Sequence, residues 1–116
     1  MSPWKEKVIL FAQYGSALAA KARQKGLNVM IEGFADRRYS DDLNLMSRSK
    51  PEAVHQNIGT MVDQVIDMVK NESIQTESST QKIKVDTICI HGDHPQAVEI
   101  VKSLSSALKN EGIDIQ

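Results

Sequence analysis

A single cysteine, Cys89, stands in the 116 residues, which excludes an internal disulfide framework and suits a reducing compartment. Aromatic residues make up only 4% of the chain, so aliphatic side chains must build the core. No charge of one sign dominates. The formal net charge is -1, and Lys and Arg are dispersed rather than gathered into the basic stripe that a phosphate backbone requires, so nucleic acid is not an expected partner. Long apolar runs are missing too. The strongest one near the N-terminus, Val8 to Ala12, is far shorter than a signal-peptide core or a membrane span, so neither a membrane anchor nor export is expected and the location predicted is cytoplasmic. What is present, 41% hydrophobic and 25% charged residues, is the balance of one α/β domain spanning residues 1–116.

Short β-like runs alternate with segments of helical periodicity. Lys7 to Phe11 is a β-branched and aromatic run closed by Gln13-Tyr14-Gly15, after which Ser16 caps an alanine-rich helix from Ala17 to Lys25 that Gly26 stops. A second strand, Leu27 to Glu32, ends at Gly33-Phe-Ala-Asp-Arg37, and a long Ser- and Asp-rich connection runs to about Pro51. Connections of that length often carry function. Ile58, Met61, Val62, Val65, Ile66 and Val69 fall on one helical stripe. Ser73-Ile-Gln-Thr76 and Gln81-Lys-Ile-Lys-Val85 read as a small hairpin around Glu77-Ser-Ser-Thr80, although the turn lacks an Asn-Gly or Asp-Gly pair. A third unit is Thr87 to Ile90 as a buried strand, then a helix from Pro95 to about Asn110 with Val101, Leu104 and Leu108 facing inward. Three successive βα units predict parallel strands joined by right-handed crossovers, with all strand-end loops on one side. Tyr14, Asp36, Arg37, His91 and Asp93 would then share a rim.

Strand-end loops are where ligands bind in α/β proteins, and Ile90-His-Gly-Asp-His-Pro95 is the most informative of them. His91 is a candidate general acid or base because an imidazole titrates near neutral pH; the plainer alternative is a hydrogen-bonded structural histidine. Asp93 can orient His91 or simply cap the following helix. Arg37 and Arg48 offer fork-shaped donors for a carboxylate or phosphate, or pair with a neighbour such as Asp36. Cys89, His91 and His94 invite a metal, but a closed zinc site needs four ligands and only the isolated His55 remains, so no metal site is expected. Gly15-Ser16 falls short of a phosphate-loop pattern.

Phe34-Ala-Asp-Arg37 with Tyr39, Ser47-Arg-Ser49 with Pro51-Glu-Ala-Val54, and Asp86-Thr-Ile-Cys-Ile-His-Gly-Asp-His-Pro-Gln-Ala-Val-Glu99 together resemble the C-terminal half of the LamB/YcsF family, the A subunits of bacterial 5-oxoprolinase. The resemblance implies half of a seven-stranded (β/α) barrel of the glycoside hydrolase/deacetylase type. It also implies a part in the ATP-dependent hydrolysis of 5-oxo-L-proline to L-glutamate with separate B and C subunits, His91, Asp36 and Arg37 serving catalysis and Arg48, Tyr39 and Asp93 binding substrate. Family members are about twice as long, and the Asp- and His-containing motifs of their first half have no counterpart here. A separate N-terminal half, or self-association, would then complete the barrel. The alternative is a catalytically silent homologue acting as an assembly or regulatory module. The family loop usually reads His-Gly-Asp-Thr/Asn-Pro-Gly, whereas His94 and Gln96 stand in place of the capping residue and the glycine.

Overall fold

The computed structural model describes residues 8–114; Lys7, the expected start of the first strand, lies outside them. β1 (Ile9–Ala12) leads to α1 (Ala17–Gln24), whose N-cap Ser16 hydroxyl accepts from the Ala19 amide at 3.1 Å, and Gly26 closes the helix at φ 77°. β2 (Asn28–Phe34) follows. After the long connection, α2 (Ile58–Lys70) is capped by the Asn57 side chain on the Thr60 amide at 3.0 Å. A hairpin of β3 (Ser73–Gln75) and β4 (Thr80–Lys82) precedes β5 (Thr87–Cys89) and α3 (Ala97–Asn110).

The main sheet has the order β1-β2-β5 and is wholly parallel. Its two faces can be read from the register. Ala12 and Ile31 are directly paired and cluster with Ala19 of α1. Gly33, two residues on and therefore on the same face, packs so closely under α2 that an added Cβ would lie 2.9 Å from Val85 Cγ1 and 3.0 Å from Met68 Sδ. Both crossover helices thus cover one face, as in a barrel wall, rather than opposite faces as in a doubly wound sheet. The other face carries Ile9, Phe11, Met30, Glu32, Phe34, Thr87 and Cys89; Phe34 and Cys89 at its end join the principal core, whereas Ile9 and Phe11 are half exposed.

Met61, Val65 and Met68 of α2 meet Ile100 and Leu104 of α3, with Ile74 and Ile83 of the hairpin region, in the principal core. Two inward positions differ from expectation. Ile100 is fully buried and Val101 is 50% exposed, because the stripe that α3 turns inward runs through Ile100, Leu104 and Leu108 at a spacing of four residues, which leaves Val101 to one side. The hairpin forms without a favoured turn pair because the Asp41 carboxylate, from the long connection, accepts from Thr76 Oγ1 at 2.6 Å, from the Ser78 amide at 3.0 Å and from the Ser78 hydroxyl. The three protons hold Asp41 well below the usual carboxylate range, at about 2.

The connection itself is folded. Arg37 bridges Val54, Tyr39 bridges Leu45, and the Arg38 amide donates to Ala53 O at 2.8 Å, so the segment doubles back and returns its backbone groups to partners. A second correction concerns Tyr14. β1 ends with Ala12 opposite Ile31, whereas β5 ends with Cys89 opposite Phe34. This stagger drops the β1 loop below the rim, and Tyr14 lines a different hollow with Arg23, Lys84 and Asp86.

Candidate functional site

Parallel pairing of Phe34 with Cys89 sends the ends of β2 and β5 out side by side, and the residues two positions beyond each meet. Asp36 is almost fully buried, and its Oδ1 lies 2.9 Å from His91 Nδ1. Its Oδ2 accepts from the His91 amide at 3.3 Å. A carboxylate can only accept here, so Nδ1 carries the imidazole proton and Nε2 is left as the working nitrogen. Phe34 stacks on the ring at 5.2 Å between centroids and 13° between planes, which fixes the second rotational freedom of His91. The histidine is thereby oriented by a buried carboxylate, the arrangement that general acid–base catalysis uses.

Asp36, Arg48, His91, Asp93, His94, Val54 and Pro95 line a cavity of about 160 Å3. Arg48 reaches Asp93 at 3.9 Å, with both side chains largely in solvent, a weak pair that an incoming anion can displace. Asp93 caps nothing: α3 starts without a side-chain cap. His94 takes that neighbourhood instead. It is buried, its Nδ1 accepts from the Gln96 amide at 3.1 Å, and its Nε2 donates to His55 O at 3.0 Å, so the ring at position 94 holds the turn that precedes the helix rather than capping the helix itself.

Two residues expected at the site lie behind it. Arg37 is buried, donating from Nη2 to Met46 O at 2.6 Å, while its Nε is buried without a partner. Burial, and next the charge of Arg48, lower its pKa, with Asp36 and Tyr39 opposing. The arginine presented to the cavity is therefore Arg48. Tyr39 is 2% exposed and its hydroxyl accepts from the Phe34 amide at 3.0 Å; burial pushes its pKa up to about 12. It supports the strand end and does not line the cavity. Cys89 packs against the core, its thiol pushed up to about 11 by burial and then by the neighbouring Glu32. Among the described residues no three His, Cys, Asp or Glu side chains are gathered as a metal would need.

Gln64 and His55 carry a role that the sequence did not disclose. Gln64 Nε2 donates to Phe34 O at 2.8 Å and to Arg37 O at 2.9 Å, and its Oε1 lies 2.9 Å from His55 Nε2. The available signal was a glutamine three residues after Met61 and four before Met68, beside the apolar stripe of α2. Burial lowers the His55 pKa, keeping the ring neutral.

A parallel barrel-type sheet with an oriented imidazole at its strand ends defines the class, and sequence comparison gives the family: residues 1–116 match the LamB/YcsF family, and the chain belongs to it. It is 44% identical over 110 residues to the 5-oxoprolinase A subunit of Oceanobacillus iheyensis, covering 94% of this chain and 43% of that protein. It is 39% identical over 111 residues to the protein of the same name from Pyrococcus furiosus, covering 95% and 44%. The crystal structure of a lactam utilization protein from Thermus thermophilus superposes with a TM-score of 0.86 at 25% identity, over 94% of this chain and 43% of that one. The chain thus spans less than half the length of these relatives. Among the described residues no helix is long and apolar enough to cross a membrane.

Proposed function

We propose that this chain is a component of the A subunit of a 5-oxoprolinase, contributing one wall of a site that hydrolyses the cyclic amide of 5-oxo-L-proline to give L-glutamate. The observation that carries this is the Asp36–His91 pair opening on the same small cavity as Arg48. In that reading Arg48 exchanges Asp93 for the substrate carboxylate. His91 Nε2 takes a proton from the attacking water as the carbonyl carbon gains its oxygen, and returns it to the ring nitrogen as the C–N bond breaks. Asp36 holds the tautomer and stabilises the transient imidazolium. Arg37 acts from behind, through the charge and backbone of the Asp36 loop.

ATP enters with the resemblance. The cavity suits a small molecule rather than a nucleotide, and no glycine-rich phosphate loop accompanies it, so ATP use is assigned to the complete assembly with the B and C subunits. In this reading the barrel is completed by the part of the relatives' length that these 116 residues do not cover. A lone cysteine agrees with a cytoplasmic setting.

Glutamate release from 5-oxoproline and ATP, with the B and C subunits and a polypeptide supplying the first half, tests the proposal. His91→Ala should lower the rate by about 100-fold or more, and Arg48→Met should raise KM; unchanged turnover in His91→Ala sinks the catalytic reading. A second reading, an assembly module without chemistry of its own, draws on the half-exposed Ile9 and Phe11 of the uncovered sheet face. It predicts that His91→Ala leaves turnover intact while Phe11→Ser abolishes assembly.

A further inference from the structure

We propose that Gln64 and His55 are positioning residues for the Asp36–His91 pair, an inference that rests on the reading of that pair as the acid–base centre. Asp36 sits in a bend between two carbonyls, Phe34 O and Arg37 O, and both accept from one amide nitrogen, Gln64 Nε2. The carbonyl of Asp36 itself accepts from the His55 amide at 2.8 Å. The bend is thus gripped at three points from beneath, two by Gln64 and one by His55. On the other side of the pair, the loop that follows His91 is tied down by His94 Nε2 donating to His55 O at 3.0 Å, and the His94 amide donates back to His91 O at 3.0 Å. The peptide groups of one residue, His55, therefore anchor both partners: its N–H holds the carboxylate side and its C=O holds the imidazole side. Gln64 Oε1 receives the His55 ring proton at 2.9 Å and closes the circuit.

The direction of each hydrogen bond is forced. Two carbonyls can only be met by the NH2 end of Gln64, which leaves its oxygen toward His55, so His55 Nε2 must carry the proton. No part of the circuit tolerates a flipped amide. A buried network with every bond directed in this way restricts its members to one arrangement, and catalytic pairs lose rate steeply on small displacements.

Gln64→Met keeps the length and volume of the side chain and removes its donors and acceptor. In the 116-residue chain, nuclear magnetic resonance follows exchange of the His91 Nδ1 proton with solvent. We expect Gln64→Met to speed that exchange about tenfold or more, while Met68→Ala, which cuts into the same helix's core without touching the bend, leaves it unchanged at a comparable loss of Tm. Equal exchange in Gln64→Met and the unmodified chain overturns the proposal, as does equal acceleration in the Met68→Ala control. Should Gln64→Met not fold, nitrogen chemical shifts of His55 in the unmodified chain decide: an Nε2-protonated ring supports the circuit and an Nδ1-protonated ring refutes it. In the complete assembly, Gln64→Met should lower kcat about tenfold with KM little changed. Absence of lactam hydrolysis by the unmodified assembly would remove the proposed function while the resonance measurement still reports on positioning.

Discussion

At the scale of single residues, Tyr39 shows how a side chain that resembles a ligand contact turns out to hold the backbone. Its hydroxyl receives the Phe34 amide inside the core, and Tyr39→Phe leaves that amide without a partner at a cost of about 1–3 kcal/mol, read as a lower Tm. Folding favours the neutral phenol. Since its pKa rises from 10.0 to about 12, the stabilisation is intact below about pH 10 and is lost as pH climbs toward about 12; Tyr39→Phe should flatten that alkaline decline. Cys89, with its thiol at about 11, should react with a thiol-directed reagent at neutral pH far more slowly than free cysteine. What the sequence made legible at this scale was the pair of loops whose Asp36 and His91 meet. The partners of Tyr39, Gln64 and His94 were not legible. Gln64 meets a carbonyl 30 residues away and His94 one 39 away, and no local pattern reports such distances. Arg37 and Arg48 were equal candidates for the cavity because both lie in one loop; only the doubling back of that loop separates the buried one from the exposed one.

At the scale of elements, boundaries set by local chemistry were readable. Ser16 announces α1, Gly26 ends it, and the period of Met61, Val65 and their neighbours gives α2. The start of α3 was not, because Pro95 normally opens a helix whereas here the His94 side chain holds the turn and the helix waits until Ala97. Gly33 is a glycine for a packing reason: Gly33→Ala forces Val85 and Met68 apart and should cost about 1–3 kcal/mol, measured by chemical denaturation. The hairpin depends on Asp41. With its pKa depressed from 3.8 to about 2, Asp41 contributes stability above about pH 4 that disappears as pH falls toward about 2, so Asp41→Asn should lower the Tm at neutral pH and weaken the acid dependence. An acid limb identical in the variant would show that another carboxylate governs it.

For the whole molecule, the alternation of strands and helices was sufficient to give parallel pairing, and the family resemblance gave the fold that the solved relative shares. Neither gave the relative heights of the strands, which depend on register and hence on which carbonyl each amide finds. With both crossover helices on one sheet face, Ile9 and Phe11 on the other stay at about half exposure, in positions that a closed barrel would fill. Mixing with a polypeptide that supplies the remaining strands should therefore raise the Tm, and Phe11→Ser should reduce that gain by about 1–3 kcal/mol; an equal gain in the variant would mean that this face stays open.

The stepped pairing has its own outcome. From Ile31 to Phe34 is three residues, so the wall formed by β1 stops roughly 10 Å short of the wall formed by β5. The Asp36–His91 pair consequently stands on the ends of β2 and β5 alone, above the level at which β1 stops. Of the two side chains that face a small molecule in the cavity, Arg48 is the more exposed, 52% against 25% for His91, which makes charge the first thing sampled and shape the second.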